Sequence, residues 1–269
     1  VNSLCLGIRK VTCMKLMKYS MGMVLLAAML LSACQTVPQP AAVTPAPGKH
    51  AAVTPVPRQQ VEWRKRHQSM NERVKQGNVD LLYIGDSITH GWEGGGKPVW
   101  DKYYADRNAV NLGIGGDRTE HVLWRLANGN IAGISPKLAI IMIGTNNYKD
   151  NTAEEIADGI QAIVKKLRTD LPQMKILLLA IFPREEKPGA TRDKLAKASA
   201  IASQVADGKM VYFMDIGRVF LDADGTLPAS IMPDFLHPNE KGYWLWAEAI
   251  EPMVAQLMGE TAAGKAPKG

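Results

Sequence analysis

Two short polar clusters in this sequence have the residue types for nucleophilic chemistry. Gly85-Asp86-Ser87 directly follows the mainly apolar run Val79-Asp80-Leu81-Leu82-Tyr83-Ile84, and Asp234-Phe235-Leu236-His237-Pro238 directly precedes an amphipathic stretch near the carboxyl end. A serine hydroxyl is a weak nucleophile until a base takes its proton during attack. A turn opened by glycine at the end of a strand holds Ser87 out of the core. The pattern is not the Gly-x-Ser-x-Gly elbow, because residue 89 is threonine. The base must come from five histidines. His50 lies in a proline-rich stretch, and His67 shares a face with Trp63, Met70 and Val74, so it reads as structural. His90 is close to Ser87 along the chain, which guarantees proximity but not ring direction. His121 falls inside a helical segment as a structural or pocket-lining residue. His237 has Asp234 three residues earlier, a spacing that lets a carboxylate reach the imidazole nitrogen facing away from the serine. Such a carboxylate fixes the tautomer and stabilises the imidazolium formed on proton transfer. Asp86 reads as a brace for its turn, with no proton-transfer role assigned.

Attack on a carbonyl also needs donors for the negative charge that develops on oxygen. The backbone N–H groups of Ser87 and Gly116 and the side-chain amide of Asn146 are candidates, and loss of one such donor typically costs roughly 3 kcal/mol of transition-state stabilisation. These residues stand in three polar turns, Gly85-Asp86-Ser87, Gly113-Ile114-Gly115-Gly116-Asp117 and Gly144-Thr145-Asn146-Asn147, each after an apolar run. Asn147 reads as a structural cap. Strand candidates lie at 79–84, 110–112, 138–143, 175–181 and 210–214. Between them, Ile156, Ile160, Ile163, Val164 and Leu167 form one helical stripe. Asp117 and Glu120 have the spacing of a capping box, and a final helix runs from about 240 to 257 with Pro252 inside it. Alternating strands and helices predict one α/β sandwich on a mainly parallel sheet of five strands. The polar turns then share the carboxyl edge, where open parallel sheets bind ligands.

The remainder of the chain bounds the alternatives. Basic residues at 9, 10, 15 and 18 precede the apolar run 21–31, the layout of an export signal and short for a membrane span. Leu31-Ser32-Ala33-Cys34 resembles the lipobox of bacterial lipoproteins, which implies cleavage before Cys34 and lipid on its sulfur. Gln35 after it, in place of aspartate, points to the outer membrane. Residues 1–13 read as an upstream extension, with Met14 and Met17 both available as starts. The expected organisation is a leader over 1–33, a lipidated cysteine and proline-rich tether over 34–60, a catalytic domain over 61–259 and a flexible tail over 260–269. Removing the four basic leader residues takes the formal charge from +6 to +6 − 4 = +2, so the basic balance gives no support to nucleic-acid binding. All three cysteines lie in the leader or at its cut, leaving no disulfide or thiolate ligand in the domain. No spaced dinucleotide fingerprint, Gly-Lys-Ser/Thr loop, or Cys/His array appears, and Asp222, Asp224 and Gly225 lack the remainder of a calcium loop. No metal or cofactor is expected.

Four blocks in order resemble the SGNH hydrolase superfamily, which includes the GDSL esterases: Gly85-Asp86-Ser87, Gly116 within Asn-Leu-Gly-Ile-Gly-Gly-Asp, Gly-Thr-Asn-Asn at 144–147, and Asp234-x-x-His237. Within it the chain is similar to the catalytic subunits of intracellular platelet-activating-factor acetylhydrolase, through His-Val-Leu-Trp-Arg-Leu at 121–126, Asn-Thr-Ala-Glu-Glu at 151–155 and Lys187-Pro188 after Pro183-Arg184. The resemblance implies a flavodoxin-like three-layer α/β/α sandwich, a Ser87–His237–Asp234 triad, and oxyanion donors at Ser87, Gly116 and Asn146. It also implies a pocket walled by Ile88, Thr145 and Leu236, although Ile88 departs from the methionine of that subgroup. The expected substrate is a small-molecule or carbohydrate ester with a short, acetyl-sized acyl group. A longer-chain lysophospholipase or thioesterase and a noncatalytic glycan- or protein-binding lipoprotein are the alternatives.

Overall fold

The computed structural model describes residues 50–260. The leader over 1–33, Cys34, the first part of the expected tether and residues 261–269 lie outside the described residues. A 3₁₀ turn at Ala51–Val53 leads into α1 (Val61–Lys75). The chain continues through β1 (Leu81–Gly85), α2 (Ser87–His90), α3 (Lys97–Tyr103), β2 (Ala109–Gly113) and α4 (Thr119–Ala127). It ends with β3 (Leu138–Met142), α5 (Ala153–Asp170), β4 (Lys175–Leu179), α6 (Ala190–Ala202), β5 (Val211–Met214) and α7 (Glu240–Met258). The five strands pair in the order β2-β1-β3-β4-β5, every pair parallel. That is the flavodoxin-like order, with its switch point between β1 and β3. The expected three-layer sandwich is therefore the fold.

Strand residues alternate between two cores, as a period of two requires. Leu82, Ile84, Val110, Leu112, Ala139, Ile141, Ile176 and Leu178 pack with α1, α4, α5 and α6. Leu81, Tyr83, Leu138, Ile140, Met142, Leu177 and Leu179 pack with α2, α3 and α7. Both faces are covered, which explains the near-continuous apolar runs. The stripe on α5 is buried as its spacing predicts, and α7 carries Pro252 within it.

Three expectations are corrected. Residues 50–60, expected in the tether, lie against the domain. Ala52 is fully buried, Thr119 Oγ1 donates to the Ala52 carbonyl at 2.8 Å, and Val56 N–H donates to the Glu120 carbonyl at 3.3 Å. Glu260, expected in the tail, joins Glu251 in pairing with the guanidinium of buried Arg107. Asp117 does not cap α4. The capping residue is Arg118, whose N–H donates to His121 Nδ1 at 3.0 Å, while the Asp117 carboxylate turns inward to Trp63 and Arg125.

Candidate active site

Ser87 opens α2, the single turn of helix that leaves the carboxyl end of β1. Asp86 caps it by accepting from the Ile88 N–H at 3.0 Å. Asn111 on β2 holds the same turn from the side: its amide donates to the Thr89 carbonyl at 3.0 Å and its oxygen accepts from the Gly113 N–H at 2.8 Å. Ser87 is half-buried, with its hydroxyl at the sheet edge.

The histidine bonded to Ser87 is His237, whose Nε2 lies 2.8 Å from Oγ. Its Nδ1 lies 2.6 Å from Asp234 Oδ2, so Nδ1–H donates to the carboxylate and the Nε2 lone pair faces the serine. The other carboxylate oxygen accepts from the backbone N–H groups of Leu236 at 3.1 Å and His237 at 2.8 Å. Burial works against ionisation of Asp234, but the bonds from the His237 ring and these N–H groups outweigh it and hold the carboxyl below its usual range. Phe235, between the two residues, has φ +56°, a left-handed conformation uncommon outside glycine. It is secured by its N–H to Met232 O and its carbonyl to the Glu185 N–H. His90 is half-buried beside Arg66, and burial followed by that positive charge lowers its pKa. His67 is stacked on Trp63 with ring centroids 5.6 Å apart, the structural place expected for it.

The other two turns meet the nucleophile. A Cβ built on Gly115 would lie 3.8 Å from Ser87 Cβ. The turn is closed by Asp117 N–H to Ile114 O at 3.1 Å, and its third residue, Gly116, has φ +76° and is exposed. This is a conformation that turn chemistry reserves for glycine. Asn146 is half-buried and donates one amide hydrogen to the Asp117 carbonyl at 3.0 Å, leaving a carboxamide with a second hydrogen to offer. Asn147 is structural, but it serves α4: its oxygen accepts from the Thr119 N–H at 3.1 Å. Of the expected pocket walls, Ile88 and Thr145 are fully buried and Leu236 half-buried. Ile88 points into the core that holds Tyr83, Trp92 and Trp246, because the second residue of α2 faces the sheet.

A set of arginines escaped the sequence reading. Arg125 Nη2 reaches the Gly85 carbonyl at 3.3 Å, Arg66 Nε the Gly113 carbonyl at 2.7 Å, and Arg58 Nη1 the Gly115 carbonyl at 2.6 Å. Arg184 Nη1 reaches both oxygens of Thr145 at 3.2 Å and lies over the Tyr148 ring at 4.2 Å. Every polar turn at the site thus has a carbonyl held by a cation from another element. Sequence spacing carries no signal for such long reaches; Pro183-Arg184 entered only through family likeness. Asp86 is completely buried, and burial, only partly countered by the Ile88 N–H and Arg184, pushes its carboxyl up to about 7. Among the described residues, no three His, Cys, Asp or Glu side chains gather to hold a metal, and no helix is long and apolar enough to cross a membrane.

Residues 83–245 match the model of the GDSL-like lipase/acylhydrolase family. Over 205 residues the chain is 38% identical to platelet-activating factor acetylhydrolase IB subunit alpha2 of Rattus norvegicus, covering 76% of this chain and 88% of that protein. Among solved structures, a GDSL-like lipase from Bacteroides thetaiotaomicron superposes with a TM-score of 0.59 at 19% identity, over 71% of this chain and 97% of the other. An acetylxylan esterase from Geobacillus stearothermophilus does so with a TM-score of 0.54 at 22% identity, over 69% and 96%. The chain belongs to the GDSL-like lipase/acylhydrolase family and is a serine hydrolase of the SGNH/GDSL class.

Proposed function

We propose that this GDSL-family hydrolase cleaves short-acyl esters, acetyl esters foremost, through an acyl-enzyme on Ser87. The observation that carries the reading is the continuous relay from Ser87 Oγ to His237 Nε2 at 2.8 Å and from His237 Nδ1 to Asp234 at 2.6 Å. Ser87 Oγ bonds to the ester carbonyl carbon as its proton passes to His237 Nε2. The tetrahedral oxyanion is received by the N–H groups of Ser87 and Gly116 and by the Asn146 amide. Collapse breaks the bond to the alcohol oxygen, which takes the proton from His237. Water then attacks the acyl carbon, giving its proton to the same nitrogen. The carboxylic acid leaves and Ser87 recovers its hydrogen.

The short-acyl preference rests on the floor of the site. Ile88 follows the nucleophile and Thr145 precedes Asn146, and both are fully buried, so an acyl chain extending toward either position would have to displace a packed side chain. An added methylene gains about 0.8 kcal/mol only where an apolar path receives it, whereas forcing bulk into a packed site costs roughly 1 to 3 kcal/mol. The acetylhydrolase name of the 38% identical relative agrees with an acetyl preference. Carbohydrate O-acetyl groups are the substrate class we assign, given the lipoprotein-like leader and an expected place in the bacterial envelope, held to the membrane through Cys34. Chromogenic esters sharing one alcohol test the acyl claim. The kcat/KM should be highest for acetate or propionate, fall at butyrate and be poor at octanoate. Octanoate equal to acetate would favour the lysophospholipase or thioesterase reading instead. Turnover of acetylated glycans over acylated glycerophospholipids tests the alcohol side.

A further inference from the structure

The segment ahead of α1 performs a task that its proline-rich composition conceals. From His50, whose Nε2 meets Asp158 on α5 at 3.1 Å, it crosses the start of α4 through the Ala52 and Val56 backbone bonds. It ends by delivering Arg58 to the Gly113–Asp117 turn. The crossing is built into the partner helix as well. A Cβ on Gly159, in the middle of α5, would lie 2.7 Å from the Ala52 carbonyl oxygen and closer still to Thr119 Oγ1. Glycine inside a helix costs roughly 1 kcal/mol against alanine, and here it opens the space in which the segment lies.

We infer that Arg58 is a positioning residue for the oxyanion turn, fixing the peptide between Gly115 and Gly116 so that the Gly116 N–H points to the developing charge. The carbonyl and N–H of a trans peptide point in opposite directions. A guanidinium that holds the Gly115 oxygen at 2.6 Å therefore fixes the Gly116 N–H on the far side of the same plane. The constraint matters because two consecutive glycines leave this peptide free to rotate. Without a holder, the N–H and carbonyl can exchange places and present an acceptor to the oxyanion. A charge-assisted bond to the carbonyl also polarises the peptide, which strengthens the N–H as a donor.

Ion pairing is the lesser part of what Arg58 does. The Asp117 carboxylate already takes Arg125 Nε at 2.8 Å and Trp63 Nε1 at 2.6 Å, and Arg58 stands 3.7 Å from it. The guanidinium also covers the open side of Gly116: its Nη1 would be 2.8 Å from a Cβ placed there. The Arg58 side chain remains 23% exposed, so a small cation can enter its place from solvent.

The inference rests on the Gly116 donor assigned above, and its test separates the two. Arg58→Ala and Arg58→Lys are compared with wild type and Ser87→Ala on a chromogenic acetate ester, alongside thermal melts. Misplacing a catalytic group by about 1 Å costs on the order of 100-fold, so Arg58→Ala should lose about that factor in kcat with KM nearly unchanged. Arg58→Lys should fall between, and guanidinium or methylguanidinium at millimolar concentration should restore part of the kcat of Arg58→Ala but not of Ser87→Ala. Wild-type kcat in Arg58→Ala, or loss of kcat only in step with a lower melting temperature and without rescue, overturns the positioning role. Should Arg58→Ala not fold, a fully folded Arg58→Lys with wild-type kcat overturns it as well. Turnover persisting in Ser87→Ala would instead strike the functional reading beneath it.

Discussion

At the scale of single residues, the relay separates groups that bind from groups that act in the transition state. Removing His237 or neutralising Asp234 should lower kcat and leave KM nearly unchanged, because their contribution grows as the imidazolium forms. Steady-state kinetics of His237→Ala and Asp234→Asn check this, with His90→Ala as the contrast that retains turnover. Asp86 makes a different prediction. Its carboxyl is raised from 3.8 to about 7 chiefly by burial, so the folded chain holds a proton that the unfolded chain has already lost. Its contribution to stability is therefore full below pH 3.8 and is lost as pH rises through about 7. Asp86→Asn keeps an oxygen for the Ile88 N–H and has no proton to lose. Its melting temperature should gain on wild type between pH 5 and pH 8, and parallel melting curves across that interval would contradict the argument. His67, lowered to about 4, and His121, lowered to about 3, both chiefly by burial, have the opposite sign but are common to both proteins.

At the scale of elements, the strands and the long helices were legible because their periods are local. The runs at 138–143 and 175–181 become the buried β3 and β4, and the stripe from Ile156 to Leu167 becomes the buried face of α5. Legibility ended where a long side chain or a buried charge decided the outcome. The spacing of Asp117 and Glu120 suggested a capping box, but a buried carboxylate with Trp63 and Arg125 within 2.8 Å is better served inside. Ile88 shows the same limit: the family likeness implied a pocket wall, while helix α2 packs it into the core next to the nucleophile, so that only its removal opens space there. Its truncation has two separable effects. Ile88→Ala should cost about 2 to 5 kcal/mol of stability as a core cavity, read by denaturant unfolding, and should widen the acyl range toward butyrate. Leu236→Ala, at a half-buried position beside His237, should cost far less stability for any change in acyl range.

At the scale of the whole molecule, the packed domain begins earlier than proline content suggested. Pro55 and Pro57 restrict the backbone without preventing Ala52 and Val56 from bonding to α4, because proline removes only its own N–H. A protein beginning at residue 50 should melt like the full chain, and one beginning at residue 61 should melt lower. Equal melting temperatures would return residues 50–60 to the tether. The anchor itself is a separate expectation: mass measurement of the mature amino terminus in a bacterial host should find acylated Cys34, and an intact leader on a cytoplasmic product would contradict it. All these readings depend on Ser87 carrying the acyl group. Intact and peptide mass spectrometry after fluorophosphonate treatment tests that most directly. One adduct should appear on the wild-type peptide containing Ser87 as ester turnover disappears, with neither adduct nor turnover in folded Ser87→Ala. An adduct on another residue, or undiminished turnover in Ser87→Ala, would contradict the account.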